Sequence, residues 1–358
     1  STLVVFQQLN YIQSKDLGFT KDQVLLINEI SPLGSKTNAF KDEILKMGNV
    51  ENVTLSDFYP TPSWRSDSSF FQEGASSQES AIQMQTWGVD TDYLKTLQMN
   101  IVAGRDFNKQ YATDSTAVII NEATLPILNV TAEEALGMRI SEEIELENPT
   151  YYTVIGVVKD FHFKSLRENI GALGLHVNKT AENMAVRLSG GDYSNSIAEI
   201  ENKWNEMAPG QPFDYQFMDE AFNTTYEAEL KLSQIFFIFT ILSIFIACLG
   251  LFGLAAFNAE KRTKEIGVRK VLGATVSQIS YRLTVDFLKL VGIAILVSLP
   301  LGWFAMNKWL EDFSYRIDMG VGVFVLAAVL SIVVAIVTVS YQSIKAAIVN
   351  PVKSLRSE

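Results

Sequence analysis

The sequence predicts an α+β domain joined to an all-α bundle of three membrane helices. Three observations carry this. Residues 232–358 hold three uncharged apolar runs: Leu232–Ala259 (28 residues), Leu290–Asn307 (18) and Met319–Ile344 (26). Residues 1–231 instead alternate short β-branched runs with short amphipathic stretches, without the regular βαβ pattern of a parallel sheet. Charge divides at the same boundary, with 17 Lys+Arg against 33 Asp+Glu before it and 12 against 7 after it, for a formal net of −11. An acidic half followed by a basic, apolar half is the pattern of a soluble domain joined to a membrane domain. The overall acidity argues against nucleic-acid binding, which needs a basic face.

In chain order, STLVVF from Ser1 is apolar but too short for a span or a signal peptide, and is expected to be the outer end of a membrane helix that starts before Ser1. Asp22–Ile30 predicts a strand around QVLLI. Ser35–Met47 predicts a helix with Phe40, Ile44 and Met47 on one face, and Val50–Ser56 alternates like a half-buried strand. Pro60, Pro62 and the serines from Ser63 to Ser80 predict a long polar loop. Strands are expected at Ala81–Val89, Thr116–Ile120, Tyr151–Val158 and Ala185–Leu188. Helices are expected at Thr91–Leu97, from Asn121, and at Asn195–Met207 with Ile197, Ile200 and Trp204 inward. The four glutamates within Glu142–Glu147 suit a solvated turn or edge. Two subdomains are compatible with this order. Phe217–Lys231 is expected to be helical and to run without a Pro or Gly break into the first span.

The apolar runs place the spans at about 232–257, 287–307 and 319–344, with a connecting loop at 258–286. At 1.5 Å per residue, the first and third cross about 30 Å of hydrocarbon with length to spare. The second is extended by Phe287 and Leu288, with Lys289 snorkelling to the interface and Pro300 offering a kink. Asn258–Asp286 carries six Lys+Arg against three acids, which puts it in the cytoplasm. Asn307–Asp318 carries two against three and lies outside, flanked by Trp303 and Trp309. The basic tail with Lys353 and Arg356 returns inside. Residues 1–231 are then extracytoplasmic, and a fourth helix is expected before Ser1.

Chemistry of the chain's own is not visible. There is no phosphate loop, HExxH, GxSxG or CxxC, so neither an enzyme nor a cofactor is expected. The single cysteine, Cys248, allows no disulfide within the chain. His162 and His176 lack a nearby third ligand and are expected to be ordinary strand or loop residues, so no metal site is predicted. Asp160 suits a turn after a strand better than an acid catalyst. Ala247, Cys248, Gly250 and Gly253 form a small-residue stripe suited to close helix packing. No charge lies at mid-span to relay ions.

That leaves NAEKRTKEIGVRKVLGAT, Asn258–Thr275. Its charges include Glu260, Arg262, Lys264, Glu265, Arg269 and Lys270, and Ile266, Val268, Val271 and Leu272 give it an apolar side. A short amphipathic helix is expected. It suits either an interfacial helix on anionic lipid or a docking helix for a cytoplasmic partner.

EKRTKEIGVRKVLGAT closely resembles the cytoplasmic signature of the FtsX-like/MacB-like permeases of ABC transporters. NPVKSLRSE, Asn350–Glu358, resembles the family's C-terminal end, and VIGVVKDFHFKSL, Val154–Leu166, resembles a segment of the MacB-like periplasmic core domain. The likeness extends to the C-terminal half of the eight-helix permeases of Bacteroidetes-type bacteria. It implies a bacterial inner-membrane permease subunit with residues 1–231 periplasmic and 232–358 forming the transmembrane domain. It also implies mechanotransmission: a separate cytoplasmic ABC ATPase pushes on the connecting loop, and the periplasmic domain responds to export a drug, peptide or lipoprotein-like substrate. The implied docking residues are Glu260, Arg262, Lys264, Glu265, Ile266, Arg269, Lys270, Gly273 and Ala274. Implied partners are the ATPase, a second permease half or homodimer partner, the lipid bilayer and a periplasmic adaptor. The alternative is a membrane-anchored extracytoplasmic sensor or interaction protein without transport.

Overall fold

The computed structural model describes residues 2–61, 65–75, 81–142, 149–178, 181–190, 193–224 and 226–348. Parts of the expected Ser63–Ser80 loop, the glutamate run from position 143 and the basic tail from 349 lie outside them. Contacts divide the chain into two units, Ser14–Glu227 and Ser1–Gln13 with Ala228–Glu358.

The elements in order are α1 (Thr2–Ser14), β1 (Val24–Ile27), α2 (Thr37–Leu45), β2 (Val50–Ser56), β3 (Ser68–Gln72), β4 (Ile82–Val89), α3 (Tyr93–Leu97), β5 (Ile101–Gly104), β6 (Ala117–Asn121), α4 (Leu125–Leu128), α5 (Ala132–Ala135), β7 (Arg139–Ser141), β8 (Tyr152–Val158), β9 (Leu173–Val177), β10 (Asn183–Leu188), α6 (Tyr193–Met207), β11 (Tyr215–Phe217) and α7 (Met218–Thr224). Three long helices and one short one follow: α8 (Glu227–Lys261), the short α9 (Thr263–Val271), α10 (Val276–Leu310) and α11 (Val321–Ile348).

In the mixed α/β unit, β11, β1, β10, β2 and β4 are neighbours in that order, antiparallel throughout. Phe40 and Ile44 of α2 and Ile200 and Trp204 of α6 pack with Leu25, Ile27, Val53 and Val186 of the sheet. Both helices turn their apolar stripe to the strands, as their 3.6-residue spacing requires. Phe40 meets Trp204 edge-on at 5.7 Å. From β4 the pairing continues through β3, β7, β8, β6 and β9, and β9 pairs back onto β4, so six strands close a ring. Phe70, Ile82, Met84, Val118, Ile120, Ile140, Val154 and Val157 form its core. The unit therefore has two lobes, each with its own core, along one run of paired strands. The buried Lys41 lies 2.5 Å from Asp90 and 2.6 Å from Asp92, which satisfies a charge that burial alone would not tolerate.

Several expectations change. The polar loop from Ser63 contains a strand, β3, because Phe70 and Phe71 bury into the ring. Phe217 ends an edge strand rather than starting a helix, since it pairs with Leu25. The chain is not one helix from there into the first span. It leaves α7 through a turn at Tyr226, whose N–H donates to Asn223 O at 2.9 Å, and α8 begins at Glu227. Tyr226 is buried, its ring lies 5.6 Å from Phe222, and its hydroxyl accepts from Leu166 N–H at 2.8 Å. Burying that ring in the α/β unit opposes continuation of one straight helix. Asp160 does serve local structure: its carboxylate accepts from Ala123 N–H while its own N–H donates to Glu122. Burial pushes the His162 imidazole down to about 4, which leaves it neutral.

In the second unit, Glu229–Lys261, Val276–Leu310 and Val321–Lys345 are long and apolar enough to cross a membrane, and Pro300 lies inside α10. Ala255 of α8, Phe287 of α10 and Val339 of α11 bury against each other, and Phe252 stacks on Tyr341. The small-residue stripe does not make this contact: a Cβ on Gly250 or Gly253 would meet nothing within 4 Å. In α1, Thr2 Oγ1 lies 2.8 Å from Thr240 Oγ1. The buried Gln8 amide donates to Tyr315 O and accepts from Ile317 N–H, each at 2.9 Å. α1 thus contacts α8 and the segment that joins α10 to α11.

Candidate functional site

The basic stretch between α8 and α10 folds as α9, and local chemistry fixes its C-terminal end and the start of α10. At the C-terminal end Ala274 N–H donates to Arg269 O at 2.9 Å and Gly273 N–H to Lys270 O at 3.1 Å. This is a Schellman motif, and it needs a left-handed residue after the cap. Gly273 supplies it at φ +94°. One residue later Thr275 begins α10 with a capping box: its hydroxyl accepts from Gln278 N–H at 3.3 Å, and Gln278 Oε1 accepts from Thr275 N–H at 3.1 Å. The reversal from α9 to α10 is therefore hydrogen-bonded on both sides.

Packing then decides which way α9 faces. Ile266 is buried against Ile279 and Leu283 of α10, with Ala274 and Val276 closing the cluster. On a helix at 100° per residue, Val268, Val271 and Leu272 point to the opposite side. They are 48%, 67% and 81% exposed. The four apolar residues thus do not share one face: Ile266 fastens the helix, and the other three form an outward apolar patch. Lys264 and Glu265, both exposed, flank that patch.

The charged residues also divide. Arg262 Nη1 lies 3.0 Å from Asp286 Oδ2 of α10, and Arg269 Nη2 lies 2.7 Å from Glu265 Oε1 one turn away. Lys270 Nζ donates to Ile348 O at 3.3 Å. Glu260 and Lys264 are exposed and make no ion pair with described residues. Of the nine expected docking residues, Glu260, Lys264, Glu265 and the exposed Arg262 line the outer side or its edge. Ile266 and Ala274 pack against α10, and the exposed Gly273 forms the turn that ends the helix. Val268, Val271 and Leu272, outside that set, form the outward apolar patch; their i, i+3, i+4 spacing was visible in the sequence, but not the side they would face. Among the described residues, no three His, Cys, Asp or Glu side chains gather to hold a metal.

The FtsX-like permease C-terminal domain matches residues 237–351, from within α8 past the end of α11, a stretch that includes α9. Over these residues the chain is similar to the FtsX-like permease family. The FtsX-like segment therefore contains all three long apolar helices wholly or in large part, and the chain is a membrane protein. Among solved structures, the periplasmic region of MacB from Actinobacillus actinomycetemcomitans is similar at 14% identity, covering 60% of this chain and 97% of that one, with a TM-score of 0.41. A domain of a putative permease protein from Porphyromonas gingivalis is similar at 15% identity over 55% of this chain and 90% of that one, TM-score 0.38. The extracellular domain of the noncanonic ABC-type transporter YknZ from Gram-positive bacteria gives 14%, 59%, 92% and 0.35 in the same order. No curated protein sequence is similar enough to count as a relative.

Proposed function

We propose that the chain is the permease subunit of an ABC transporter and that α9 is where a cytoplasmic ATPase docks. The observation that carries this is the outward patch of Val268, Val271 and Leu272, held on a helix whose reverse side is anchored by Ile266. Three exposed apolar side chains beside Lys264 and Glu265 form a small hydrophobic centre with a charged rim, the usual anatomy of a protein interface. A helix hydrogen-bonded into its reversal to α10 and fastened by Ile266 also suits force transmission, because a push on α9 is delivered to α10 rather than absorbed in a loop.

In this reading α9 lies in the cytoplasm and Ser14–Glu227 outside it, an orientation supported by the basic loop. The ATPase supplies the nucleotide chemistry. The stroke passes along α8 and α10, and the outer domain acts on a drug, peptide or lipoprotein-like load, together with a second permease subunit and a periplasmic adaptor.

The test is co-purification of the full chain with its ATPase. Val268→Glu with Leu272→Glu is expected to abolish co-purification while membrane insertion and expression stay normal. Undiminished co-purification of that double variant would refute the docking assignment.

A further inference from the structure

A cavity of about 410 Å³ opens beside the end of α8 and the first half of α10. Its polar lining is Asn258, Arg262, Asp286 and Lys289, and its apolar lining is Leu283, Phe287 and Leu290. Leu283 and Phe287 are buried and form a floor, while Leu290 is exposed. The position along the two helices is informative. Asn258 sits at the end of the uncharged run 232–259, and Lys289 is the last charge before the uncharged run 290–307. Uncharged runs of this length take the hydrocarbon, so the cavity lies at the headgroup boundary.

The charges fit that level. Asp286 lies 3.0 Å from Arg262 and 3.7 Å from Lys289, so two cations share one carboxylate and one positive charge is left over. A phosphodiester monoanion complements that charge. Arg and Lys donors and the Asn258 amide suit phosphate oxygens, which only accept hydrogen bonds. Leu290, on the hydrocarbon side, offers apolar surface where an acyl chain would begin.

We propose that this cavity binds the phosphodiester headgroup of a glycerophospholipid, with Lys289 and Arg262 on the phosphate and the first part of an acyl chain along Leu290. The assignment goes beyond ATPase docking and does not depend on it. It requires only that α8 and α10 cross the bilayer.

Native mass spectrometry of the full chain, released from detergent and titrated with phosphatidylglycerol or phosphatidylethanolamine, tests it. Diacylglycerol, which lacks the phosphate, and glycerol 3-phosphate, which lacks the chains, serve as the comparison ligands. Both phospholipids are expected to be retained more tightly than either. Loss of one charge-assisted contact in Lys289→Ala should weaken retention about tenfold. Lys289→Arg should preserve it, and Lys308→Ala, near the other end of α10, should change nothing. If Lys289→Ala does not fold, Asn258→Leu is expected to show the same selective loss. The proposal is overturned if diacylglycerol or glycerol 3-phosphate binds as tightly as the phospholipids, or if Lys289→Ala and Lys308→Ala behave alike.

Discussion

Arg262 at the start of α9 and Asp286 of α10 form an ion pair, Nη1 to Oδ2 at 3.0 Å. Both side chains are close to half exposed, 44% and 45%, so the pair is worth only about 0–1 kcal/mol. Its consequence is one of interpretation: Arg262→Glu sets a like charge against Asp286 as well as altering the outer surface. We predict that this variant speeds hydrogen exchange across residues 263–271. Arg262→Asp with Asp286→Arg should return exchange to the original rate. If the exchanged pair remains as fast as the single variant, the ion pair is not what holds the N-terminal end of α9.

Gly273 governs the other end. Space is not the constraint, since an added Cβ would meet nothing within 4 Å. Conformation is, at φ +94°. Gly273→Ala should cost roughly 1–2 kcal/mol and Gly273→Asn less, because Asn tolerates the left-handed region better. Amide exchange of α9 and susceptibility to protease at 271–275 should follow that order.

The inward and outward sides of α9 predict opposite phenotypes. Ile266→Ala removes the side chain that packs on Ile279 and Leu283, and should cost about 2 kcal/mol, the low end for such truncations because the cluster is small. Leu272→Ala acts on a residue 81% exposed, and should change stability by less than about 0.5 kcal/mol. It should nonetheless weaken ATPase binding. Thermal unfolding of the full chain and co-purification, measured side by side, separate the two effects. Equal losses of stability would remove the distinction.

In the α/β unit two neighbouring aspartates titrate in opposite directions. Burial pushes the Asp106 carboxyl up to about 6, with Asp92 and Asp114 adding to it. Burial also works against ionised Asp92, but hydrogen bonds and charge from Lys41 and Lys109 outweigh it and hold that carboxyl below its ordinary value. A raised folded-state pKa costs nothing below the unfolded value near 3.9, and its cost grows as pH rises toward about 6. Asp106→Asn should therefore match the parent at about pH 4 and exceed it at pH 7 by on the order of 1 kcal/mol, after allowing for partial exposure. Unfolding midpoints across that range check it; a variant less stable at pH 7 would contradict it.

The membrane helices were legible because 26 or 28 residues without a charge leave few alternatives, and β8 was legible because YYTVIGVV is β-branched and apolar. β3, β5, β7, β9 and β11 were not. Each is three to five residues long, and each exists by pairing with a strand remote in sequence. Phe217 shows the effect: its local sequence is helical in pattern, yet its pairing with Leu25 makes it strand. α9 was legible as an amphipathic stretch, but its facing was not. Ile266 and Val268 are equally apolar, and only the position of Ile279 and Leu283 on α10 selects Ile266 as the one to bury.

A photoreactive side chain at Leu272 in the full chain, illuminated in membranes with ATPase present, tests the central claim most directly. The account predicts a covalent adduct to the ATPase from Leu272 and none from Ile279 on the buried side. An adduct from Leu272 to lipid alone would make α9 an interfacial helix and contradict the docking assignment.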